Sequence, residues 1–205
     1  MKSSTLAKGQ SLKTFINGVW KDHPIFSMIL GICSALAVSN KVENAIAMGA
    51  GVTFVLLATG LLIALLRRLI PTRVRMITYM IIIATFVIIV DRVLKAMFPD
   101  ISQAIGPYVG LIITNCIIMG RAEAFYIQNR IGQSLIDALA NGVGYTYTLA
   151  SVAVVRELLG FGTILGFQVM PEGFTKWVVM AMAPGAFFVL AIFIWITRTC
   201  AKKEI

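Results

Sequence analysis

The chain has 205 residues, of which 59% are hydrophobic and 13% charged, and its mean hydropathy is +0.88. So few polar residues cannot cover the surface of a soluble protein, and the composition therefore indicates an integral membrane protein. The formal net charge of +9 does not indicate nucleic-acid binding, because the basic residues are scattered in loops between apolar segments.

The N-terminal segment is polar and mildly basic. It lacks the apolar core of about 7 to 15 residues that a signal peptide contains. We therefore expect residues 1–23 to form a retained cytoplasmic tail. His23, the single histidine of the chain, precedes Pro24 at the expected membrane edge and is expected to be an interfacial residue rather than a metal ligand.

Six apolar segments follow the tail, in the order short, long, long, short, long, long. At roughly 1.5 Å per residue, each short segment would reach about 24 Å, less than the hydrocarbon core of about 30 Å. The six segments span residues 24–39, 45–66, 74–94, 104–119, 134–158 and 177–197.

Glycine and proline residues predict where the helices in these segments approach a neighbour, kink or are interrupted. Gly142 and Gly144 predict that a neighbouring helix approaches the fifth segment closely. The sixth segment is expected to kink at Pro184 and Gly185, and the fourth is expected to be interrupted early by Gly106, Pro107 and Gly110. The loop before the sixth segment is expected to be irregular because of its helix breakers, which are Gly160, Gly162, Gly166 and Pro171.

The order of segment lengths predicts two structural repeats, residues 24–97 and 104–198, joined by a loop at 98–103 and followed by a cytoplasmic tail at 199–205. Because three crossings are an odd number, the second repeat must enter the membrane from the opposite side, so the repeats are inverted. Of the 18 Lys and Arg residues, 13 fall on the side of the termini and five on the other, which predicts that both termini are cytoplasmic.

The predicted fold class is thus an all-α integral membrane protein with six transmembrane helices in two inverted three-helix repeats. The first helix of each repeat is predicted to be short or broken near the membrane midplane. Non-helical backbone at that depth is tolerated where it is buried in protein or lines a cavity, because unpaired peptide groups are costly in lipid. Short or interrupted segments at matching positions therefore point to a site between them.

Each short segment contains a cysteine: Cys33 in LGICSALAV and Cys116 in GLIITNCIIMGRAEAF. Three explanations stay open. The cysteines can be buried small hydrophobic residues, a disulfide, although such bonds normally face an oxidising compartment, or thiolate ligands of a metal centre. Iron–sulfur clusters use four Cys ligands, so the third explanation predicts a second polypeptide that supplies two more. Cys200 lies beyond the last segment and is expected to be unligated.

Five stretches resemble the Nqr D/E and Rnf A/E family of membrane subunits, and the resemblance covers about residues 20–196. Within the family, D-type Nqr subunits are favoured over the Rnf E subunit, which tends to have proline directly after the first cysteine, where this chain has Ser34. The stretches are CSALAV, RRLIPTRVRMI, VGLIITNCIIMGRAEAF, SLIDALANGVGY and RELLGFGTILGF.

The resemblance implies a non-autonomous subunit of a sodium-pumping NADH:ubiquinone oxidoreductase in the bacterial inner membrane. It implies a homologous partner, the E subunit of that complex, and a [2Fe-2S] cluster shared with it that relays electrons across the membrane. Carried onto this chain, the ligands are Cys33 and Cys116. Hydrogen bonds to sulfur tune cluster potential, and the backbone amides expected to provide them belong to Gly31, Ser34, Asn115 and Ile117.

No flavin is expected on this chain, because it has no G-x-G-x-x-G after a strand, no P-loop, no C-x-x-C and no flavin attachment pattern. Acidic residues near the segment ends are candidates for a sodium path. Asp91 and Asp137 are the two favoured, with Glu123 weaker. The competing interpretation is ordinary pairing with the neighbouring arginine, as in Asp91 beside Arg92, Glu123 beside Arg121 and Glu157 beside Arg156.

Three other functions remain open at this point. One is the E subunit of an Rnf-type ferredoxin:NAD+ oxidoreductase. A small inverted-repeat transporter would also have paired broken helices, but it would need more polar groups facing a substrate. A purely structural assembly subunit would share the hydropathy and have no use for Cys33 and Cys116.

Overall fold

A computed structural model of the chain describes residues 29–67, 69–71, 73–97, 99–160, 162–164, 167–168 and 182–202. It is almost entirely helical in these residues. The helices are α1 (Ile32–Val38), α2 (Val42–Leu66), α3 (Arg75–Met97), α4 (Pro99–Ile113), α5 (Cys116–Arg121), a π-helix (Ala122–Tyr126), α6 (Ile131–Gly160) and α7 (Ala183–Lys202).

Within the described residues, four helical stretches are long and apolar enough to cross a membrane, namely α2, α3, Gly106–Tyr126 and α6, and α7 contains a shorter apolar stretch at Pro184–Thr199. Large apolar side chains also face outward, as Leu65, Ile77 and Trp195 do. Because a soluble monomer rarely exposes so much apolar surface, the expectation of an integral membrane protein is confirmed.

The predicted long segments correspond closely to helices. The second ends at Leu66 as predicted and begins three residues earlier, at Val42. The third begins one residue later and ends three residues later than predicted, at Arg75–Met97, and the fifth is extended at both ends, to Ile131–Gly160. The predicted N-terminal tail and the starts of the first and sixth segments lie outside the described residues.

The fourth segment breaks later than predicted. Helix α4 continues through Pro107 to Ile113, and a Cβ at Gly106 or Gly110 would meet no atom within 4 Å. A proline can remain inside a membrane helix when the freed carbonyl finds another partner, so Pro107 does not end this one. The interruption falls at Asn115, and the predicted early break was wrong.

Two smaller expectations were also wrong. The loop after α6, expected to be irregular, contains an antiparallel pair of two-residue strands, β1 (Thr163–Ile164) and β2 (Phe167–Gln168), while the fold class stays all-α. In α7, Pro184 stands in the first turn rather than at a kink. A first-turn proline loses no hydrogen bond, because the N–H groups there have no intrahelical acceptor.

The most extensive packing in the described structure is between α2 and α6. A Cβ on Gly49 would lie 2.6 Å from Thr146 Cγ2, and one on Gly142 would lie 2.7 Å from Thr53 Cγ2. The threonine hydroxyls are 3.4 Å apart, and each donates to the carbonyl of its own glycine four residues earlier. The crossed contacts show that the two helices run antiparallel at their crossing, and they confirm the close approach predicted at Gly142.

The two crossing stretches also share a sequence pattern. Residues 45–53 read AIAMGAGVT and residues 138–146 read ALANGVGYT, which agree at two alanines, two glycines and the threonine. Equivalent positions are 93 residues apart, the separation of the two contacting threonines. The contact of Gly49 with Thr146 thus repeats that of Thr53 with Gly142 when the two stretches are exchanged.

The close crossing of α2 and α6 predicts that two glycine-to-alanine substitutions lower the free energy of unfolding by similar amounts. We expect Gly49→Ala and Gly142→Ala each to lower the free energy of unfolding by about 1–3 kcal/mol, because the added methyl overlaps a threonine side chain. Reversible unfolding in mixed micelles measures the effect. Gly132→Ala is the control in α6, because a Cβ there meets no atom within 4 Å. Equal stability of all three variants would contradict the close crossing.

Candidate metal centre

Cys116 is the first residue of α5, immediately after the break. Asn115 has an extended backbone, with φ −66° and ψ 117°, and its side-chain oxygen accepts a hydrogen bond of 3.1 Å from the Ile117 amide. Asparagine favours this helix N-cap conformation, because its short side chain binds the N–H groups that lack an intrahelical partner. Asn115 therefore begins a new helix at Cys116 instead of continuing α4.

Cys33 lies in the first turn of α1, after a residue with left-handed backbone. Gly31 is the N-cap of α1 and has φ 82°. A Cβ at this position would lie 2.5 Å from Ile117 Cδ1 and 3.3 Å from Tyr145 Cε2. Glycine is required here for two reasons, the left-handed conformation and the close approach of α5.

The stretches around the two cysteines, residues 31–34 and 115–117, are called the cysteine loops here, and they contact each other directly. The Gly31 amide donates a hydrogen bond of 2.8 Å to Cys116 Sγ, and Gly31 is two residues before Cys33. The structure thus brings Cys116 against the loop that carries Cys33.

Both thiols are free; Cys33 is exposed on the surface of the chain and Cys116 is partly buried. A disulfide between them is therefore not present. An exposed Cys33 also does not fit the explanation that both cysteines are buried small hydrophobic residues. Among the described residues, no group of three or more His, Cys, Asp or Glu side chains gathers as a potential metal site.

A buried network of polar side chains surrounds the contact. Ser34 Oγ donates to the Gly31 carbonyl at 3.0 Å and lies 2.7 Å from the Tyr145 hydroxyl. The Asn115 side-chain amide donates to the same Oγ at 3.4 Å. All three side chains of Ser34, Asn115 and Tyr145 are fully buried, so the hydrogen bonds are shielded from water and join α1, α5 and α6.

The four amides expected to donate to sulfur have different roles. Gly31 donates to Cys116 Sγ as described, whereas the Asn115 amide donates to the Ile112 carbonyl and the Ile117 amide to the Asn115 side chain. The amides of Asn115 and Ile117 thus donate to acceptors within the protein, and their role toward a cluster stays a prediction. Ser34 is in the first turn of α1, where amides have no intrahelical acceptor.

The far end of α1 is held by two buried residues near the end of α6. The Arg156 guanidinium donates to Ser39 Oγ at 2.6 Å, to the Leu36 carbonyl at 3.3 Å and to the Met182 carbonyl at 3.4 Å. The Glu157 carboxylate accepts a hydrogen bond of 2.8 Å from the amide of Val42, the first residue of α2. The pair satisfies backbone groups at the turn between α1 and α2.

The charged residues considered for sodium have partners other than the adjacent arginines expected from sequence. Arg121 forms a buried ion pair with Asp137, and its guanidinium lies 5.6 Å from the centre of the Phe125 ring. Glu123 pairs with Arg75 at 2.6 Å, and Asp91 with Lys95 at 2.6 Å, one helical turn away. Asp91 and Asp137 thus have separate partners on separate helices.

Sequence reasoning missed the role of α6. Asp137, Tyr145 and Arg156 lie along this helix and contact α5, α1 and the turn after α1, respectively. At about 1.5 Å per residue, they cover roughly 28 Å, close to the membrane core thickness. Tyr145 and Arg156 had a usable signal in the sequence, because polar and ionisable side chains inside an apolar span are candidates for a functional role.

The described geometry defines a class: a multi-span membrane protein in which two short helices begin next to cysteines and are held together by one long helix. The family model described as "Rnf-Nqr subunit, membrane protein" matches residues 11–194. The chain belongs to this Rnf-Nqr family.

Curated relatives match over nearly their full length. A protein of Chlamydia abortus, named as the D subunit of Na(+)-translocating NADH-quinone reductase, is 44% identical over 211 residues, covering 97% of this chain and 99% of the relative. The protein of the same name from Chlamydia felis is 43% identical over 200 residues, covering 93% and 94%. That of Chlamydia caviae is 45% identical over 210 residues, covering 97% and 99%.

The α1–α2 turn gives a stability prediction. We expect Arg156→Met to lower the free energy of unfolding by about 1.5–3 kcal/mol, because hydrogen bonds from a charged donor to buried acceptors are lost. Lys95→Met is the control: it removes an exposed ion pair with Asp91, and we expect a cost below about 1 kcal/mol. Unfolding measured in micelles should separate the two; equal costs would show that Arg156 does not stabilise the turn.

Proposed function

We propose that the chain is the D-type membrane subunit of a sodium-translocating NADH:quinone reductase, acting only within that complex. The observation that carries the proposal is the contact between the two cysteine loops in a chain whose full-length relatives have that name. The relatives' names favour this complex over an Rnf-type complex. The proposed complex provides the other Nqr subunits as partners, and this chain binds no flavin.

We infer six transmembrane helices in two inverted repeats. The antiparallel crossing of α2 with α6 supports the inversion, since exchange of the two AxAxGxGxT stretches reproduces the contacts. Each proposed repeat also has a short helix with a cysteine in its first turn, α1 or α5, followed by a long helix, α2 or α6. A twofold axis relating two antiparallel membrane helices lies in the membrane plane, which is the geometry of inverted repeats.

Contacts between loops support the proposed topology. Arg67, after α2, donates to the Asn129 carbonyl, and Arg75, at the start of α3, pairs with Glu123. The α2–α3 and π-helix–α6 connections therefore lie on one side of the membrane, which the distribution of basic residues makes the cytoplasmic side. The contacts of Arg156 join the α1–α2 turn to the beginning of α7 on the opposite side. Both termini are then cytoplasmic, in the inner membrane of a bacterium.

The residues present fit half of an iron–sulfur centre. Two free thiols lie on loops in mutual contact, Cys116 Sγ already accepts an N–H hydrogen bond, and Cys33 faces outward. Iron–sulfur clusters are held by cysteine thiolates, and hydrogen bonds to the sulfur atoms tune the potential of the cluster. We propose that Cys33 and Cys116 hold a [2Fe-2S] cluster together with two cysteines of the homologous E subunit.

When bound, the cluster would supply one-electron transfer within the membrane. The residues of this chain contribute two thiolates, the Gly31 N–H at one sulfur and a dry environment. Ile117 and Ile118, which follow Cys116, are fully buried, so water is excluded from this side of the site. The exposed position of Cys33 leaves the other side open for the partner subunit.

Iron analysis tests the ligand assignment. In the purified complex, we expect Cys33→Ala and Cys116→Ala each to abolish the electron paramagnetic resonance signal of the intramembrane cluster and to lower bound iron and acid-labile sulfide, because each removes a ligand. Cys200→Ala is the matched control and should retain the wild-type signal. Unchanged iron, sulfide and signal in both ligand variants would rule out the assignment.

We further propose that Asp137 and Asp91 belong to a path for sodium. Asp137 is the stronger of the two, because its buried carboxylate lies in a span and pairs with Arg121, and buried ionisable groups in membranes are usually functional. Asp91 is partly exposed and pairs with Lys95 on the same helix, an arrangement that surface helices also use.

A double substitution separates transport from stability. We expect Asp137→Asn to raise severalfold the sodium concentration that gives half-maximal quinone reduction, and also to destabilise the chain, because the Arg121 charge stays buried without its carboxylate. Adding Arg121→Gln should restore stability and leave the sodium defect. Sodium dependence unchanged in Asp137→Asn would remove Asp137 from the path.

A further inference from the structure

The Tyr145 side chain connects α6 to both cysteine loops. Its hydroxyl lies 2.7 Å from the Oγ of Ser34, the residue after Cys33. Asn115, the residue before Cys116, donates to the same Oγ from its side chain. The Tyr145 ring also packs against Gly31, with Cε2 3.3 Å from the position a Cβ would occupy. One tyrosine therefore contacts the residues that flank both thiols.

The direction of the central hydrogen bond follows from counting hydrogens. Ser34 Oγ has one hydrogen, and it is donated to the Gly31 carbonyl. The Tyr145 hydroxyl must then be the donor to Ser34, and the two lone pairs of Oγ accept from Tyr145 and Asn115. The hydrogen bonds run from Tyr145 to Ser34 and on to the Gly31 carbonyl. The Gly31 amide in turn donates to Cys116 Sγ.

We propose that Tyr145 is a positioning residue that fixes Gly31 against the sulfur of Cys116 and thereby sets the spacing of the two thiol loops. The inference rests on the proposed function where it concerns a bound cluster; the loop geometry itself needs no cluster. Removing the hydroxyl leaves Ser34 with an unfilled acceptor site in a buried network, and the Gly31 carbonyl loses a fixed donor. The N–H hydrogen bond to sulfur then becomes weaker.

The first test measures loop geometry without a cluster. The full chain carrying Cys33→Ser and Cys200→Ser is expressed without the other subunits, so that a shared cluster cannot form and Cys116 is the one remaining cysteine. Cys116 is then alkylated in membranes with N-ethylmaleimide. We expect Tyr145→Phe to increase the alkylation rate about tenfold, the equilibrium effect of one lost hydrogen bond. Ser34→Ala should give a similar increase, and the double variant no more than either single one, because both residues act through Gly31.

The second test measures the cluster in the purified complex. We expect Tyr145→Phe to retain the wild-type content of iron and acid-labile sulfide and to shift both the g-values and the midpoint potential of the intramembrane signal. Tyr147→Phe is the matched control for both tests, because Tyr147 is on the same helix but 66% exposed. We expect it to match the wild type in alkylation rate, g-values and potential.

The outcomes separate the two proposals. If the wild-type complex has no intramembrane cluster signal but Tyr145→Phe speeds alkylation of Cys116, the proposed cluster fails and the positioning role stands. If the signal depends on Cys33 and Cys116 but Tyr145→Phe changes neither alkylation nor signal, the positioning role is overturned and the proposed function stands. An equal response of Tyr147→Phe in both tests would also overturn it.

Discussion

The structure depends on satisfying the backbone groups that two short helices leave unpaired. Each helix end has N–H or C=O groups without an intrahelical partner, and in an apolar environment these are costly. The side chains of α6 contribute to satisfying them at several levels: Tyr145 through Ser34 and Gly31, and Arg156 with Glu157 at the turn after α1. The cysteine loops keep their positions because one continuous helix supports both.

The crossing of α2 and α6 determines where α6 lies relative to the cysteine loops. Glycine at positions 49 and 142 allows the helices to approach closely, and Tyr145, one residue before Thr146 of the crossing, extends from the same level to Ser34. The two helices are related by sequence at the crossing but differ in their polar partners. Position 52, equivalent to Tyr145, is Val52, which has no hydroxyl. The hydrogen bonds around the two thiols therefore differ. Ser34, the residue after Cys33, contacts Tyr145, whereas Cys116 Sγ accepts its hydrogen bond from Gly31.

Much of the architecture followed from hydropathy and segment length, which predicted the long helices and a contact between the two short segments that carry Cys33 and Cys116. Loop contacts could not be predicted, because they join residues more than eighty positions apart, as Gly31 and Cys116 are. The break at Asn115 was missed because Gly106 and Pro107 looked like stronger interruptions; the side-chain cap, rather than backbone flexibility, ends the helix. Ion pairs were assigned to sequence neighbours, whereas side chains adjacent in sequence point to different sides of a helix.

The contacts of Arg156 also affect the order of biosynthesis. The Leu36 carbonyl and the Val42 amide receive partners from residues 120 and 115 positions later in the chain. At roughly 5–20 residues per second, the ribosome needs about 6–24 s to make that distance. During that interval α1 has been synthesised but lacks these hydrogen bonds. It can therefore reach its final packed position only after α6 has been inserted. The loop that carries Cys33 is thus completed late, although it is among the first parts of the chain to be made.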